Sequence, residues 1–146
     1  MTTVRAITAS DHDAWAPLFA AYGTFYETTF SDEVIESTWL RVLTEGSGVD
    51  AIVAEVDGTV IGFAHYRSHP DTFSTGRDWF LDDLFVDPAA RGAGAATALI
   101  EELKGYARKT GPGSLRWITA ESNERAQRVY DRVATKTTWV TYEVRA

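Results

Sequence analysis

The sequence predicts a single α/β domain in which helices cover both faces of one mixed β-sheet. A length of 146 residues is typical of one domain, and the hydrophobic (45%) and charged (24%) fractions are those of an ordinary globular protein. Segments with strand periodicity and segments with helical periodicity alternate along the chain, without internal repeats or linkers. We therefore expect residues 1–146 to form one domain with the element order β-α-α-β-β-β-α-β-α-β.

The first half of the chain contains signals for two helices and four strands. Ser10 and Ser31 are capping residue types, and each precedes a run of apolar residues at helical spacing. The Asp57-Gly58 pair lies between two apolar runs and favours a tight β-hairpin. The predicted elements are a strand at 4–7, helices after Ser10 and from Ser31 to Gly46, and strands at 49–56, 59–66 and 78–86.

The second half of the chain also alternates helices and strands. A helix over 92–109 has Arg108 and Lys109 at its negative end and stops before Gly111. Residues 137–144 alternate between polar and apolar side chains as a strand does. The other predicted elements are a strand at 114–120 and a helix that is capped by Ser122 or Asn123 and runs to residue 133.

Residue types that are missing or scattered narrow the possible chemistry. The chain has no cysteine, which excludes disulfides, thiolate metal sites and cysteine nucleophiles. His12, His65 and His69 are too far apart in sequence to indicate a metal site, so we expect no metal. The N-terminus lacks the apolar run of a secretion signal and no stretch is long enough to span a bilayer, so we expect a cytoplasmic protein without a membrane partner.

Charge is distributed unevenly along the chain. The net charge of −7 argues against a nucleic-acid partner. Residues 1–90 carry 15 acidic and 4 basic side chains, whereas residues 91–146 carry 6 acidic and 10 basic ones. If the C-terminal part binds a polyanion, the acidic N-terminal part is suited to a cationic second substrate. A purely solubilising surface would give the same asymmetry.

A loop of small residues at 92–96 predicts an anion site. It follows Pro88, which cannot continue a sheet ladder, and Arg91. No side chain in the loop is larger than a methyl group, so a phosphate could approach the backbone N–H groups that the first helical turn leaves unpaired. A loop that binds no ligand is the alternative, whereas dinucleotide-binding and P-loop fingerprints do not fit.

The spacing Arg91-x-x-Gly94-x-Ala96 resembles the pyrophosphate loop of GNAT-type N-acetyltransferases. The element order resembles that fold over nearly the whole chain, and the resemblance implies acetyl-CoA as cosubstrate, held where two parallel strands splay apart. The family's Asn, its Ala three residues later and its Tyr seven residues later contact the pantetheine arm, and Asn123, Ala126 and Tyr130 have this spacing. The resemblance also implies that the Tyr is the acid for the departing thiolate. Because a tyrosine of pKa near ~10 gives its proton to a thiolate of pKa near ~8.5 only at a cost of roughly 2 kcal/mol, donation of a hydrogen bond is the alternative. The cofactor-binding residues so implied are Leu84, Phe85, Val86, Arg91, Gly92, Ala93, Gly94, Ala95, Ala96, Thr97, Asn123, Ala126 and Tyr130.

Two adjacent aspartates are candidates for the general base. An attacking amine must be neutral, yet an alkylammonium has a pKa near ~10.4, so a proton acceptor is required. Strand alternation turns either Asp82 or Asp83 into an apolar layer unless a bulge intervenes, and burial raises the pKa of a carboxyl group. Residues 81–86 are similar to the Leu-Glu-Asp-Phe-Phe-Val stretch of the diamine acetyltransferases, whose Glu, at the place of Asp82, acts on the amine. The alternative is a structural salt bridge with Arg67 or Arg77.

The acceptor pocket is expected beside the first two helices and the end of the hairpin. Aromatic rings together with an acidic group suit an alkylammonium through cation–π contact and charge pairing. Phe25 and Phe30 lie in the same stretch, and we assign them to the core. The expected substrate-binding residues are Tyr22, Tyr26, Glu27, His65 and Asp82.

These features predict an acetyl-CoA-dependent N-acetyltransferase that acetylates a primary amine by direct attack in a ternary complex. The expected acceptor is a small cation, a polyamine or an amino acid. Two alternatives are acetylation of protein lysines or N-termini, and a non-catalytic CoA-binding sensor or interaction module. The oligomeric state stays open, a homodimer included.

Overall fold

The computed structural model describes residues 1–146 and contains one five-stranded sheet with helices on both faces, which confirms the predicted mixed α/β class. The strands are β1 (Thr2–Ala6), β2 (Asp50–Val56), β3 (Thr59–Pro70), β4 (Arg77–Val86) and β5 (Leu115–Arg116). The helices are α1 (His12–Phe25), α2 (Asp32–Leu43), α3 (Ala95–Lys109) and α4 (Glu124–Val133). The strands lie side by side in chain order, antiparallel from β1 to β4 and parallel between β4 and β5.

Local sequence signals set the ends of several elements. Ser31 Oγ accepts a hydrogen bond from a backbone N–H of the first turn at 3.2 Å and caps α2. Asp57 and Gly58 both have positive φ, 51° and 78°, as a two-residue hairpin turn of this kind requires. Ser10 lies in a short 3-10 helix, so α1 begins one residue after Asp11.

Each face of the sheet carries its own hydrophobic cluster. The face under α1 and α2 is filled largely by aromatic side chains, among them the fully buried Trp15 and Phe63. The opposite face is covered by α3, whose Leu99, Ile100 and Leu103 are fully buried, and by part of α4. None of the helices combines the length and apolar character that a membrane-spanning segment requires.

A β-bulge interrupts β4 at the pair of aspartates. The register partner of Asp83 is His65, and the next residue of β3 pairs with Leu81, so Asp82 is an additional residue without a partner on β3. Leu81 and Leu84 both contact the cluster under α3, and the two carboxylates between them lie on the face under α1 and α2. Simple alternation would have placed the aspartates on opposite faces, and the bulge overrides it.

The strands β4 and β5 separate after a short contact. They pair only through Trp79 with Leu115 and Phe80 with Arg116. From residue 81 to residue 86 the edge of β4 that faces β5 has no neighbouring strand. This is the splayed parallel pair that the resemblance implied, and it shortens the predicted strand at 114–120 to two residues because the pairing needed to continue it is missing.

The predicted last strand at 137–144 is absent. Residues 135–146 form neither helix nor strand and make no backbone hydrogen bond. Alternation in the sequence reports the residue types that suit a strand, whereas a strand forms only beside a neighbour that pairs with it. No strand of the same chain takes that place.

Candidate active site

A cavity of about 550 Å³ opens where β4 and β5 separate, between α1, the loop after β4 and α4. A volume of this size suits a small molecule or a cosubstrate. Most of its lining is apolar or aromatic. The lining residues are Tyr22, Phe25, Tyr26, Leu84, Phe85, Val86, Ala90, Arg91, Gly92, Gly94, Ala95, Ala96, Thr97, Asn123, Arg125, Ala126, Val129, Tyr130 and Arg132.

The loop between β4 and α3 presents a row of free backbone N–H groups. None of the N–H groups of residues 92–97 donates a hydrogen bond within the chain. Gly92 and Gly94 have φ of 94° and 74°, a left-handed backbone that favours glycine, so α3 begins at Ala95 and not at residue 92. No other atom lies within 4 Å of where a Cβ would stand on either glycine. Free N–H groups at the positive end of a helix fit the diphosphate of CoA.

The free edge of β4 forms the floor of the cavity. Leu84, Phe85 and Val86 all line it. Their other edge is already paired with β3, so they are rigidly held by the sheet. An unpaired strand edge of this kind can hydrogen-bond to the amide groups of an extended ligand, as an added strand would.

One face of α4 closes the cavity. Asn123 Oδ1 accepts a hydrogen bond from the N–H of Ala126 at 3.3 Å and caps the helix. Tyr130 packs edge-on against Trp117 with 5.4 Å between ring centroids. Burial raises the pKa of Tyr130 to about 12, so its hydroxyl keeps the proton at neutral pH and is a hydrogen-bond donor.

A buried chain of hydrogen bonds connects α1 to Asp83. Trp15 Nε1–H donates to His65 Nε2 at 3.0 Å, which leaves the ring proton on His65 Nδ1, and Nδ1–H donates to Asp83 Oδ2 at 2.9 Å. The Tyr22 hydroxyl donates to Asp83 Oδ1 at 2.7 Å. Burial works to raise the pKa of Asp83, but the hydrogen bonds from His65 and Tyr22 outweigh it and the pKa lies below its usual value. Asp83 is therefore ionised at neutral pH, and its link to the cavity is the hydrogen bond from Tyr22, whose side chain lines the cavity.

Asp82 has a different environment from its neighbour. Both of its carboxylate oxygens lie 3.1 Å from Arg67 Nε, the salt bridge considered above. Its side chain is 28% exposed. Burial raises the pKa of Asp82, although the Arg67 hydrogen bond and charge oppose the shift. Among the two aspartates it is the one with the greater affinity for a proton, the property that a general base needs.

The structure brings most predicted cofactor residues together and disperses the predicted acceptor residues. Ala93 is the only predicted cofactor residue that does not line the cavity. Glu27 is exposed and lies outside it. His65 is 1% exposed among aromatic rings, so it cannot contact a substrate. Neither Asp82 nor Asp83 lines the cavity, whereas Tyr22 and Tyr26 do.

Several features of the site were not anticipated from the sequence. Phe25, expected in the core, is 52% exposed and lines the cavity. The charged side chains of the lining are Arg91, Arg125 and Arg132, and no carboxylate is among them. The surplus of basic residues after position 90 was the one signal in the sequence for a positively charged cavity. The chain holds no group of three or more His, Cys, Asp or Glu side chains that could bind a metal ion.

Comparisons with known proteins agree with this geometry. Residues 12–134 match the profile of the acetyltransferase (GNAT) family. The chain is 34% identical over 143 residues to the D-amino-acid N-acetyltransferase HPA3 of Saccharomyces cerevisiae, covering 96% of this chain and 88% of that protein. The crystal structure of a ribosomal-protein-alanine N-acetyltransferase from Brucella melitensis biovar Abortus 2308 has the same fold, with a TM-score of 0.85 at 23% identity over 100% of both chains. The aminoglycoside N-acetyltransferase AAC(6')-Iy, solved in complex with CoA, superimposes with a TM-score of 0.81 at 21% identity, covering 99% of this chain and 95% of that one.

Proposed function

This chain belongs to the acetyltransferase (GNAT) family and is an acetyl-CoA-dependent N-acetyltransferase, and we propose that its acceptor is the amino group of a small amino acid. The observation that carries this choice is the charge of the cavity: no carboxylate lines it, and Arg132 is left for the acceptor when Arg91 and Arg125 are placed on the CoA side. An amino acid offers a carboxylate to such a site, whereas a polyamine would meet like charge. The name of the yeast relative, a D-amino-acid N-acetyltransferase, supports the same class.

Acetyl-CoA, when bound, supplies an acetyl thioester as the acyl donor. The N-H groups of residues 92–97, together with Arg91, are the groups that would hold its diphosphate. The free edge of β4 at residues 84–86 and the side chain of Asn123 would hold the amide-bearing arm.

The two other arginines of the cavity lie at opposite ends of α4. Arg125 is in the first turn, two residues after Asn123, which would hold the amide-bearing arm of CoA, and Arg132 lies seven residues later, about 10 Å along the helix axis. We assign Arg132 to the carboxylate of the acceptor. Tyr22, Phe25 and Tyr26 of the α1 side then face the remainder of the acceptor and its ammonium group.

The two aspartates have separate roles in this proposal. Asp82 accepts the proton of the ammonium through a water molecule, because its pKa is raised and its carboxylate is partly exposed without lining the cavity. Asp83 fixes the Tyr22 hydroxyl, which orients the amine, and Trp15 holds His65 in the tautomer that donates to Asp83. Asp83, His65 and Trp15 are therefore positioning residues.

Tyr130 acts as a hydrogen-bond donor in this proposal. A tyrosine whose pKa is about 12 gives up its proton to a thiolate of pKa near ~8.5 only at a cost of roughly 5 kcal/mol. Donation of a hydrogen bond to the departing sulfur needs no such transfer and suits a hydroxyl that lines the cavity.

Release of free CoA thiol tests the proposed activity directly. The chain has no cysteine, so a thiol reagent records product without background from the protein. The acceptor panel consists of D- and L-amino acids, polyamines, aminoglycosides and lysine peptides, and we expect the highest kcat/KM with amino acids. Turnover of polyamines or lysine peptides but not of amino acids would overturn the acceptor class. Thermal stabilisation by acetyl-CoA without turnover of any acceptor would identify a non-catalytic sensor.

Two arginines of α4 make a matched pair for testing the carboxylate site. Arg132 lines the cavity, whereas Arg128 lies on the same helix outside it and is exposed. We expect Arg132→Gln to raise KM for amino acids by about 10- to 100-fold, the loss of one charge-assisted hydrogen bond, and to leave KM for simple alkylamines unchanged. Arg128→Gln should change neither value. Equal effects on both kinds of acceptor would remove the carboxylate assignment.

The pH dependence of kcat separates the roles of the aspartates. At pH 7 we expect Asp82→Asn to lower kcat by roughly 10²- to 10⁴-fold, with activity recovering as pH rises and the amine loses its own proton. Asp83→Asn should raise KM without such a recovery, because it disturbs the Tyr22 hydroxyl. Asp13→Asn, at a fully exposed position, is the control. A loss of kcat in Asp82→Asn that high pH does not restore would contradict the base assignment.

A further inference from the structure

Two aromatic side chains at the end of α1 line the cavity and are exposed to solvent. Phe25 is 52% exposed and Tyr26 is 43% exposed, and their rings meet edge-on with 5.1 Å between centroids. Tyr26 also packs edge-on against Tyr22, with 5.2 Å between centroids. Aromatic rings that stay exposed beside a cavity are stabilised when an apolar part of a ligand covers them. We call Phe25 and Tyr26 the aromatic pair.

The backbone that carries the aromatic pair forms a fixed turn. The N–H of Thr28 donates to the carbonyl oxygen of Gly23 at 2.8 Å. The N–H of Glu27 donates to the carbonyl oxygen of Thr24 at 2.9 Å, and Glu27 has a left-handed φ of 58°, so α1 ends in a Schellman motif. The ring of Phe30 closes the turn, since it lies 2.7 Å from where a Cβ on Gly23 would stand. The aromatic pair is therefore positioned before a ligand arrives, which lowers the entropic cost of binding.

The aromatic pair lies next to the groups that we assign to the reaction. Burial raises the pKa of Tyr130 to about 12, and the neighbouring Tyr26 adds to the shift, so these two side chains lie near each other in the cavity. Arg132 and Val129 both line the cavity and are one turn apart on α4. When an amino acid places its carboxylate on Arg132 and its amine at the Tyr22 hydroxyl, its side chain is the part that remains for the aromatic pair.

We propose that the aromatic pair is the subsite for the side chain of the acceptor and selects amino acids with large apolar or aromatic side chains, an inference that rests on the amino-acid acceptor proposed above. A cationic side chain finds no carboxylate in the cavity and meets its arginines. An acidic side chain competes with the α-carboxylate for Arg132 and loses water against two aromatic rings. Glycine leaves the aromatic pair uncovered.

A series of side chains tests this selection in the thiol-release assay. The series consists of glycine, alanine, leucine, phenylalanine, lysine and glutamate, with both enantiomers of each chiral member. In the enantiomer that reacts, we expect kcat/KM for leucine or phenylalanine to exceed that for glycine by about 10- to 100-fold, the effect of covering one large apolar side chain. Equal values for glycine and leucine, or the highest value with lysine or glutamate, would overturn this selection and leave the amino-acid acceptor intact. Turnover of polyamines or lysine peptides but of no amino acid would overturn both.

Phe25→Ala and Phe73→Ala make a matched pair of variants. Phe25 lines the cavity, whereas Phe73 is 98% exposed on the loop between β3 and β4 and does not. We expect Phe25→Ala to lower the ratio of kcat/KM for leucine to that for glycine by about 5- to 10-fold, and Phe73→Ala to leave this ratio unchanged. The ratio does not depend on the fraction of protein that is folded. A loss of kcat/KM that is equal for leucine and glycine in Phe25→Ala would overturn the proposal.

Two further measurements test the same subsite. Isothermal titration calorimetry of the CoA-saturated protein reports acceptor binding without turnover, and there Phe25→Ala should raise the Kd of leucine more than that of glycine. Phe25→Glu places a carboxylate in the subsite, so it should raise kcat/KM for lysine relative to leucine. An unchanged lysine-to-leucine ratio in Phe25→Glu, or equal changes of Kd for leucine and glycine in Phe25→Ala, would show that the side chain of the acceptor lies elsewhere.

Discussion

Gly94→Ala is a sharp test of the loop that would bind the diphosphate, because the chain offers a matched control in Gly58. Both glycines adopt a left-handed backbone, with φ of 74° and 78°, and at both positions an added Cβ meets no other atom within 4 Å. Gly94 lines the cavity, whereas Gly58 lies in the β2–β3 turn and does not. The two substitutions therefore impose the same backbone strain at a site that does and a site that does not face the ligand.

The expected loss of stability is the same for both variants. An L-residue in the left-handed region costs roughly 1–2 kcal/mol, and the reduced freedom of the unfolded chain offsets about 0.4–1 kcal/mol of it. A net destabilisation of about 1 kcal/mol lowers Tm by about 2–4 °C in a chain of this length. Differential scanning calorimetry without ligand should find Gly94→Ala and Gly58→Ala equally affected.

The expected effect on CoA binding differs between them. If the N–H groups around Gly94 hold phosphate oxygens, a methyl group there displaces at least one charge-assisted hydrogen bond, which is about 1.5–3 kcal/mol or roughly 10- to 100-fold in Kd. Isothermal titration calorimetry with CoA should show this increase for Gly94→Ala and a wild-type Kd for Gly58→Ala. If Tm falls by the same amount in both variants and both bind CoA with the wild-type Kd, the loop is not the diphosphate site.

Three further substitutions test other parts of the molecule. Asp11→Asn removes a 6%-exposed carboxylate that accepts hydrogen bonds from the Arg5 guanidinium and the backbone N–H of Thr8. We expect the free energy of unfolding, measured with urea at pH 7, to fall by about 2 kcal/mol. The hydrogen bond from Arg5 lowers the pKa of Asp11, so the carboxylate contributes its full share of the folding stability above the unfolded pKa near ~3.9. This stabilisation disappears as pH falls through the folded pKa, and the stabilities of the variant and the wild type should then converge. Tyr130→Phe should lower kcat by about 10-fold and leave the Kd for CoA unchanged, since it removes one hydrogen-bond donor, and an unchanged kcat would dismiss its role. A Cβ on Gly76 would collide with the backbone carbonyl oxygen of Pro112, so Gly76→Ala should cost about 2–3 kcal/mol in thermal unfolding, whereas Gly105→Ala, in open space on α3, should be neutral or stabilising.

The parts of the fold that depend on neighbouring residues in sequence were predictable. The Ser31 cap and the Asp57-Gly58 turn are local signals, and both lie where the sequence placed them. The spacing of apolar residues along the chain predicts the order of helices and strands, and the structure confirms this order from β1 to α4. The last strand was not predictable in the same way, because its formation depends on a pairing partner that periodicity does not report.

The bulge in β4 shows why the site was harder to predict than the fold. Whether Asp82 and Asp83 share a face depends on how β4 registers with β3, and one additional residue decides it. The prediction that one of the two aspartates faces an apolar layer held only for a strand without a bulge, and nothing in the sequence indicated whether a bulge is present. The burial of His65 has a similar origin, because the partners that bury it come from α1, 50 residues earlier in the chain.

The cationic cavity is set by geometry and not by the overall charge of the chain. The N-terminal part has a large excess of acidic side chains, yet none of them lines the cavity, because they lie on other surfaces or, like Asp83, behind the Tyr22 hydroxyl. α4 instead turns Arg125 and Arg132 into the cavity. Since coulombic selection at contact distance depends on the nearest charges more than on distant ones, we expect Arg132, the arginine that we assign to the acceptor, to select it more strongly than the acidic surfaces do. The acceptor that we propose meets Arg132 with its carboxylate and the aromatic side chains of α1 with its ammonium group.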